Sequence, residues 1–323
     1  MFQSVFNITS SSNFEELALA IFKHQLDHNT VYHKYCHLIG RTTPQSVDEI
    51  PYLPISFFKS HHIVSNTNKS EITFTSSGTT GMTTSKHHIT DTGVYDLSLD
   101  KSFDITYGNH EDYAVLALLP HYLERSGSSL VYMAQRWIEK SKHPSSGFYL
   151  NNIDELAQVL KTLQQNNQKV ILIGVTFALL QLAEKFPQEL PQTIIIETGG
   201  MKGMRKEIIK QELHDILKSA FAKASIQSEY GMTELLSQAY ASDGINFTTP
   251  PWMKVTTRDT NDPLSLLKSS KTGGLNIIDL ANYNSCSFIA TQDLGKVLPD
   301  GTFQVLGRFD QSDIRGCNLM AVE

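Results

Sequence analysis

The sequence predicts an α/β fold: a parallel sheet flanked by helices, with a helical N-terminal part before it and a small β-rich part after it. Three observations carry this. Short apolar runs alternate with amphipathic stretches through the middle of the chain, the pattern that feeds strands and crossover helices into one sheet. The first hundred residues carry helical spacing instead. Beyond about Gly244 the helical pattern fades into short β-like runs.

In order, Asn13 and Glu16 resemble a capping box, and Phe14, Leu17, Ala18, Ile21 and Phe22 follow at helical spacing. Pro51 and Pro54 break the stretch before Phe57 and Phe58. Strands are predicted at 114–119, 170–173, 193–196 and 225–229, and helices at 128–140, 153–165 and 177–186. In a further helix Ile209, Leu213, Ile216, Leu217 and Ala220 share one face. Short strands follow at 275–279, 287–290 and 303–306. The domain reading is 1–310 as one unit (helical 1–105, α/β core 106–243, β-rich 244–310), with 311–323 as a short hinge or tail.

Composition narrows the function. Of 323 residues, 40% are hydrophobic and 19% charged, the balance of a soluble globular protein. A net charge of −6 argues against a nucleic-acid partner. No secretory signal opens the chain, and the longest apolar run, 170–180, is too short for a membrane span. Cys36, Cys286 and Cys317 are too few and too dispersed for a disulfide framework or a zinc site, and a cytoplasmic location fits them.

The most informative segment is Thr75-Ser76-Ser77-Gly78-Thr79-Thr80-Gly81. Glycine permits close backbone approach and hydroxyls add donors, so such a loop can wrap a polyphosphate. It lacks the GK[ST] ending of a Walker A loop, and its composition also suits a polar linker. Lys86 follows as a candidate phosphate contact. Further on, Glu197-Thr198-Gly199-Gly200 and Glu229-Tyr230-Gly231-Met232-Thr233-Glu234 each follow a predicted strand, where ligands of open α/β sheets bind. Thr291-Gln292-Asp293-Leu294-Gly295 and Gly307-Arg308-Phe309-Asp310 complete the series.

Taken together and in this order, these segments resemble the adenylate-forming superfamily of acyl-CoA ligases and peptide-synthetase adenylation domains. The resemblance implies that superfamily's large-domain fold, with ATP and Mg²⁺ as cofactors and a carboxylic acid as substrate. It implies that residues 75–81 hold phosphates and that 197–200 lie along the adenine. Tyr230 would stack on the adenine, with Gly231 and Met232 beside it. Thr233 would bond the phosphate region, Glu234 hold Mg²⁺, Asp293 bind the ribose hydroxyls and Arg308 contact ribose or phosphate. His121, in Leu119-Pro120-His121-Tyr122, matches the aromatic motif near the substrate carboxylate, and Ser126-Gly127-Ser128 would line the acyl pocket.

The usual superfamily enzyme continues past the hinge into a mobile domain carrying a catalytic lysine. Here thirteen residues follow Asp310 and none is lysine, so that domain is missing from this sequence. The shortness, with Pro51-Tyr52-Leu53-Pro54-Ile55-Ser56-Phe57-Phe58-Lys59, Tyr230–Leu235 and Ser312-Asp313-Ile314-Arg315-Gly316-Cys317-Asn318-Leu319, resembles the acyl-protein synthetase (LuxE-type) family. Members activate a fatty acid as acyl-AMP, pass it to a cysteine near their own C-terminus, and hand it to a partner reductase. Cys317 occupies the matching place. A thiolate is a strong nucleophile toward a mixed anhydride, and Arg315 would lower its pKa. The stretch from Asp310 to Cys317 reaches at most about 23 Å. Two alternatives stay open on the sequence: a CoA ligase resembling phenylacetate-CoA ligase, and a nucleotide-binding scaffold without catalysis.

Overall fold

The computed structural model describes residues 2–76, 83–120, 127–149, 152–199 and 208–309. The N-terminal part holds α1 (Ser11–His28), α2 (Thr30–Leu38), the edge strand β1 (Leu53–Pro54) and the short α3 (Phe57–Ser60). A hairpin follows, β2 (Ile72–Thr75) and β3 (Lys86–Ile89), then α4 (Thr92–Tyr107). The α/β core runs β4 (Tyr113–Leu118), α5 (Ser129–Ser141), β5 (Gly147–Phe148), α6 (Ile153–Gln165), β6 (Lys169–Gly174) and α7 (Thr176–Lys185). It ends with β7 (Thr193–Glu197), α8 (Lys210–Ala220), β8 (Ser225–Tyr230) and β9 (Ala239–Ala241). Last come β10 (Met253–Arg258), β11 (Gly273–Asp279), β12 (Phe288–Val297) and β13 (Phe303–Arg308).

The core strands form a six-stranded sheet in the order β5-β4-β6-β7-β8-β9, parallel except for β9. Every residue of β4 is buried, as is all of β6 after Lys169, because helices cover both faces of such a sheet. That double burial explains why these strands are unbroken Val/Ile/Leu runs rather than alternating ones. The chain leaves β4 for β5 and returns to β6 on β4's other side, so the order reverses between β4 and β6, the position at which open sheets present a crevice. Beyond that crevice the strand ends are laced: Thr198 N donates to the Gly174 carbonyl at 3.1 Å and Thr176 N to the Gly199 carbonyl at 2.9 Å.

The β-rich part forms a second sheet, β1-β12-β11-β10, with β13 also on β12. Only β1 runs parallel to its neighbour, docking the N-terminal part on this sheet. One contiguous apolar core joins all parts; Trp137, Trp252, Phe58, Phe221 and Phe303 are among its fully buried members.

Several local expectations need correction. The cap of α1 is Ser10, whose hydroxyl accepts from Asn13 N at 3.3 Å, so Asn13 lies inside the first turn. Ser10 is extended, which a cap requires, and Ser11 and Ser12 do not oppose an early start. On α8 Leu213 and Leu217 are buried, but Ile216 is 39% exposed, and Ile209, which precedes the helix as its cap residue, is 72% exposed. Their helical spacing is real, yet the covered stripe is narrower than the apolar one. The hairpin β2–β3 was not expected: Ile-Thr-Phe-Thr and Lys-His-His-Ile are short and half polar, and they hold together by pairing across a loop.

Candidate active site

The site is built where the carboxyl end of β8 meets the second sheet. Tyr230 closes β8, and its hydroxyl donates to Asp293 Oδ2 at 2.8 Å. Asp293 on β12 faces Arg308 on β13 in register, and Arg308 Nε lies 3.1 Å from Asp293 Oδ1. The Asp293 backbone N–H is fixed by Thr291 Oγ1 at 3.1 Å. The Tyr230 ring packs edge-on against Phe247 and Phe303, at 5.8 and 5.3 Å between centroids. Burial, together with the charge on Asp293, drives the phenol's pKa well above its usual value, so the hydroxyl stays a donor. Arg308 is largely exposed and keeps other donors available for a ligand.

Beyond Tyr230 the chain turns through Gly231, Met232 and Thr233, all partly accessible, to Glu234, which is 5% exposed. Burial raises the Glu234 pKa, and the Ser85 hydroxyl beside it opposes that rise. No ion pair neutralises this carboxyl among the described residues. A buried carboxyl with no ion-pair partner among the described residues, beside the start of a hydroxyl-rich segment, fits Mg²⁺ shared with phosphate oxygens. Among the described residues no group of three or more His, Cys, Asp or Glu could hold a metal alone, so phosphate would complete such a site.

The loop starts at Thr75 and Ser76. Thr75 N donates to the Gly127 carbonyl at 2.8 Å, and Ser85 N donates to Ser76 Oγ at 2.9 Å. Lys86 pairs opposite Thr75 and points to solvent. Gly127 has φ +86°, and a Cβ there would lie 2.8 Å from the Thr73 carbonyl oxygen, so the close approach of this turn to β2 needs glycine.

Glu197 ends β7, buried and turned toward α8: Lys210 Nζ lies 3.1 Å and His214 Nε2 3.7 Å from its Oε1. Burial alone would raise its pKa, but the adjacent His214 ring and the charge of Lys210 outweigh it and hold the carboxyl at about 2. Its other oxygen accepts from Gly199 N at 3.0 Å, fixing the 197–199 turn with Thr198 partly accessible.

Thus Thr75, Ser76, Lys86, Tyr230, Thr233, Glu234, Asp293 and Arg308 are brought to one region through direct contacts or adjacent positions, and Glu197 to Gly199 end the neighbouring strand. Ser77, Gly78, Thr79, Thr80, Gly81, His121, Ser126, Gly200, Asp310 and Cys317 lie outside the described residues. Three groups were not singled out from sequence. His87 Nδ1 sits 2.8 Å from the Thr233 carbonyl, and Asn282 Nδ2 donates to the Glu234 carbonyl at 2.8 Å. Asp279 accepts from Leu236 N and Ser237 N at 2.8 and 3.0 Å. The signal available for them was weak: polar residues in short segments with no period of their own.

Cys36 and Cys286 are free and buried. Burial pushes Cys36 up to about 12 and Cys286 higher, so neither is a nucleophile at neutral pH.

The chain aligns over 94% of its length with 70% of 2-hydroxyisobutyryl-CoA ligase, in a structure holding 2-HIB-AMP and CoA, at TM-score 0.70 and 13% identity. The fold is that of the adenylate-forming enzymes. Over 75% of this chain the fold also matches ATP-bound MatB from Rhodopseudomonas palustris, at TM-score 0.56 and 15% identity, although it spans only 49% of that protein. It matches the luciferase-like enzyme of the mealworm Zophobas morio at TM-score 0.51 and 15% identity, over 76% of this chain and 59% of that one. In sequence, residues 8–91 match the family described as acyl-protein synthetase, LuxE. No curated protein matches the chain. The adenylate-forming fold accounts for the two-sheet architecture, and the LuxE match covers the segment from α1 through the β2–β3 hairpin. Among the described residues no helix is long and apolar enough to cross a membrane.

Proposed function

We propose that this protein activates a carboxylic acid with ATP to an acyl-adenylate and transfers the acyl group to a thiol, its own Cys317, from which a partner protein such as a reductase takes it. The observation that carries this reading is the Tyr230–Asp293–Arg308 cluster spanning the two sheets, with the Glu234 turn and the hydroxyl-rich hairpin beside it.

In the first step a carboxylate oxygen attacks the α-phosphorus of ATP, the bond to the β-phosphate bridge breaks, and pyrophosphate leaves. Asp293 and Arg308 hold the nucleotide in line while the hydroxyls of residues 75–81 and the solvent-exposed Lys86 neutralise the leaving phosphates. His121 serves the acid's carboxylate. Glu234 would hold Mg²⁺, which would supply charge neutralisation for the phosphates. In the second step the Cys317 thiolate attacks the acyl carbon, the thioester forms, and AMP departs with the bridging oxygen. A fatty acid is the favoured substrate class, supported by the LuxE match over residues 8–91.

Purified protein should exchange labelled pyrophosphate into ATP in the presence of a cognate acid. Absence of exchange across a panel of fatty, aryl and hydroxy acids would reject the first step. Cys317→Ser should keep that exchange and lose a hydroxylamine-sensitive acyl label on the protein. A second reading is a ligase releasing soluble acyl-CoA, favoured by the fold's likeness to a ligase bound to CoA. It predicts CoA-dependent soluble thioester formation that Cys317→Ser leaves unchanged.

A further inference from the structure

The Thr233–Glu234 turn is gripped from two directions by buried side chains. His87 comes from β3, the strand that leaves the hydroxyl-rich loop, and is fully buried. Its Nδ1 lies 2.8 Å from the Thr233 carbonyl and its Nε2 3.0 Å from Asn282 Oδ1. Asn282 comes from the short turn Leu280–Asn282 after β11, also buried, and its Nδ2 donates to the Glu234 carbonyl at 2.8 Å. Consecutive carbonyls of the turn are therefore clamped by two side chains that also contact each other. They reach it from far along the chain, 146 residues for His87 to Thr233 and 48 for Asn282 to Glu234.

The clamp is costly to build, which argues for a purpose beyond filling space. Phe58 packs edge-on against the His87 ring at 5.6 Å, and an apolar side chain there would avoid desolvating an imidazole. Burial holds the ring neutral, with its pKa down at about 4. A neutral ring has one N–H to give, and the Thr233 contact is the shorter of its two. Ser85, the residue just before that strand, donates its backbone N–H to Ser76 Oγ at the mouth of the hydroxyl-rich loop. The stretch 85–87 thus holds Ser76 at one end and the Thr233–Glu234 turn two residues later.

We infer that His87 and Asn282 are positioning residues that set the spacing between Ser76, at the mouth of the hydroxyl-rich segment, and the Thr233–Glu234 turn, so that both flank the same ATP phosphates. This rests on the proposed ATP site. Geometry supplies a selective test. An asparagine amide can stand where His87 Nδ1 stands, whereas a glutamine amide reaches the Nε2 position. His87→Asn should keep the Thr233 clamp and His87→Gln should lose it.

The experiment is calorimetric titration of the full chain with ATP, alongside thermal unfolding and hydrogen exchange of residues 231–237 without nucleotide. Wild type should bind ATP. His87→Asn should bind within threefold of wild type, and His87→Gln should bind at least tenfold more weakly and exchange faster across 231–237. Asn282→Ala approaches the same clamp from the other side and should show the same loss, which keeps the test open should His87→Gln fail to fold. Equal ATP affinity in wild type, His87→Gln and Asn282→Ala would overturn the positioning role and leave the ATP site standing. Affinities that merely follow melting temperature across the variants would also overturn it. A wild type that binds no ATP would overturn both.

Discussion

Replacing Asp293 by Asn keeps the side chain's shape and removes its charge. In the native site Oδ2 accepts from Tyr230 at 2.8 Å, and Oδ1 faces Arg308 Nε at 3.1 Å. The Arg308 side chain is 62% exposed, so solvent screens that pair and it contributes no more than about 1 kcal/mol. The amide oxygen can keep the Tyr230 hydrogen bond, at the expense of turning its NH₂ toward the guanidinium. The fold should lose about 1–2 kcal/mol. Nucleotide binding should lose more. A hydrogen bond to a charged acceptor contributes about 1.5–3 kcal/mol, and the single oxygen of an amide cannot serve Tyr230 and two ribose hydroxyls together. A loss of about 2–3 kcal/mol raises the ATP Kd roughly 30- to 150-fold. Titration calorimetry with ATP and thermal unfolding on the same preparations separate the two effects. A folded Asp293→Asn protein that binds ATP within threefold of wild type would refute a ribose role for this carboxylate.

Three further predictions follow from the same geometry. Gly127→Ala adds a Cβ about to collide with the Thr73 carbonyl at a φ of +86°, and should cost roughly 2–4 kcal/mol by urea unfolding; a loss under about 1 kcal/mol would show that the turn yields freely. The Glu229 carboxyl is pushed up to about 8, first by burial and then by the charge of Glu197. Between its usual value and that one the native state holds the extra proton, so stability falls as pH rises through the window. The side chain keeps some accessible surface, so Glu229→Gln should stabilise by only about 1–3 kcal/mol near pH 8 and nothing near pH 4; parallel pH–stability curves for the two proteins would contradict this. With Cys36 and Cys286 buried, native Cys317→Ser protein should release no fast aromatic thiolate from an aromatic disulfide reagent; a fast equivalent from that variant would overturn the reading that both are inert.

The core strands and helices were legible because their signals are local. Helix α6 begins and ends where its periodicity does, and β4 and β6 are apolar runs that only double burial explains. The β2–β3 hairpin was not legible, since its four-residue strands alternate imperfectly and a buried His87 reads as a polar position. The exposure of Ile209 and Ile216 could not be read from spacing, which fixes a face but not its cover. At the site, Tyr230, Glu234, Asp293 and Arg308 stood out because their segments, taken in order, resemble those of the adenylate-forming enzymes. Their supports did not. The contact from Asn282 to His87 spans 195 residues, and that from Asp279 to Leu236 spans 43, distances at which no spacing rule operates.

The bond from Tyr230 to Asp293 crosses the seam between a mostly parallel sheet and a mostly antiparallel one. A nucleotide held by both residues would work as a rivet through that seam. At a concentration one hundred times its Kd it would add about 2.7 kcal/mol against any opening that pulls the sheets apart, and nothing against fraying within either. Protease cutting that requires such separation should slow about a hundredfold with saturating ATP, while nicking at the rim of either sheet keeps its pace.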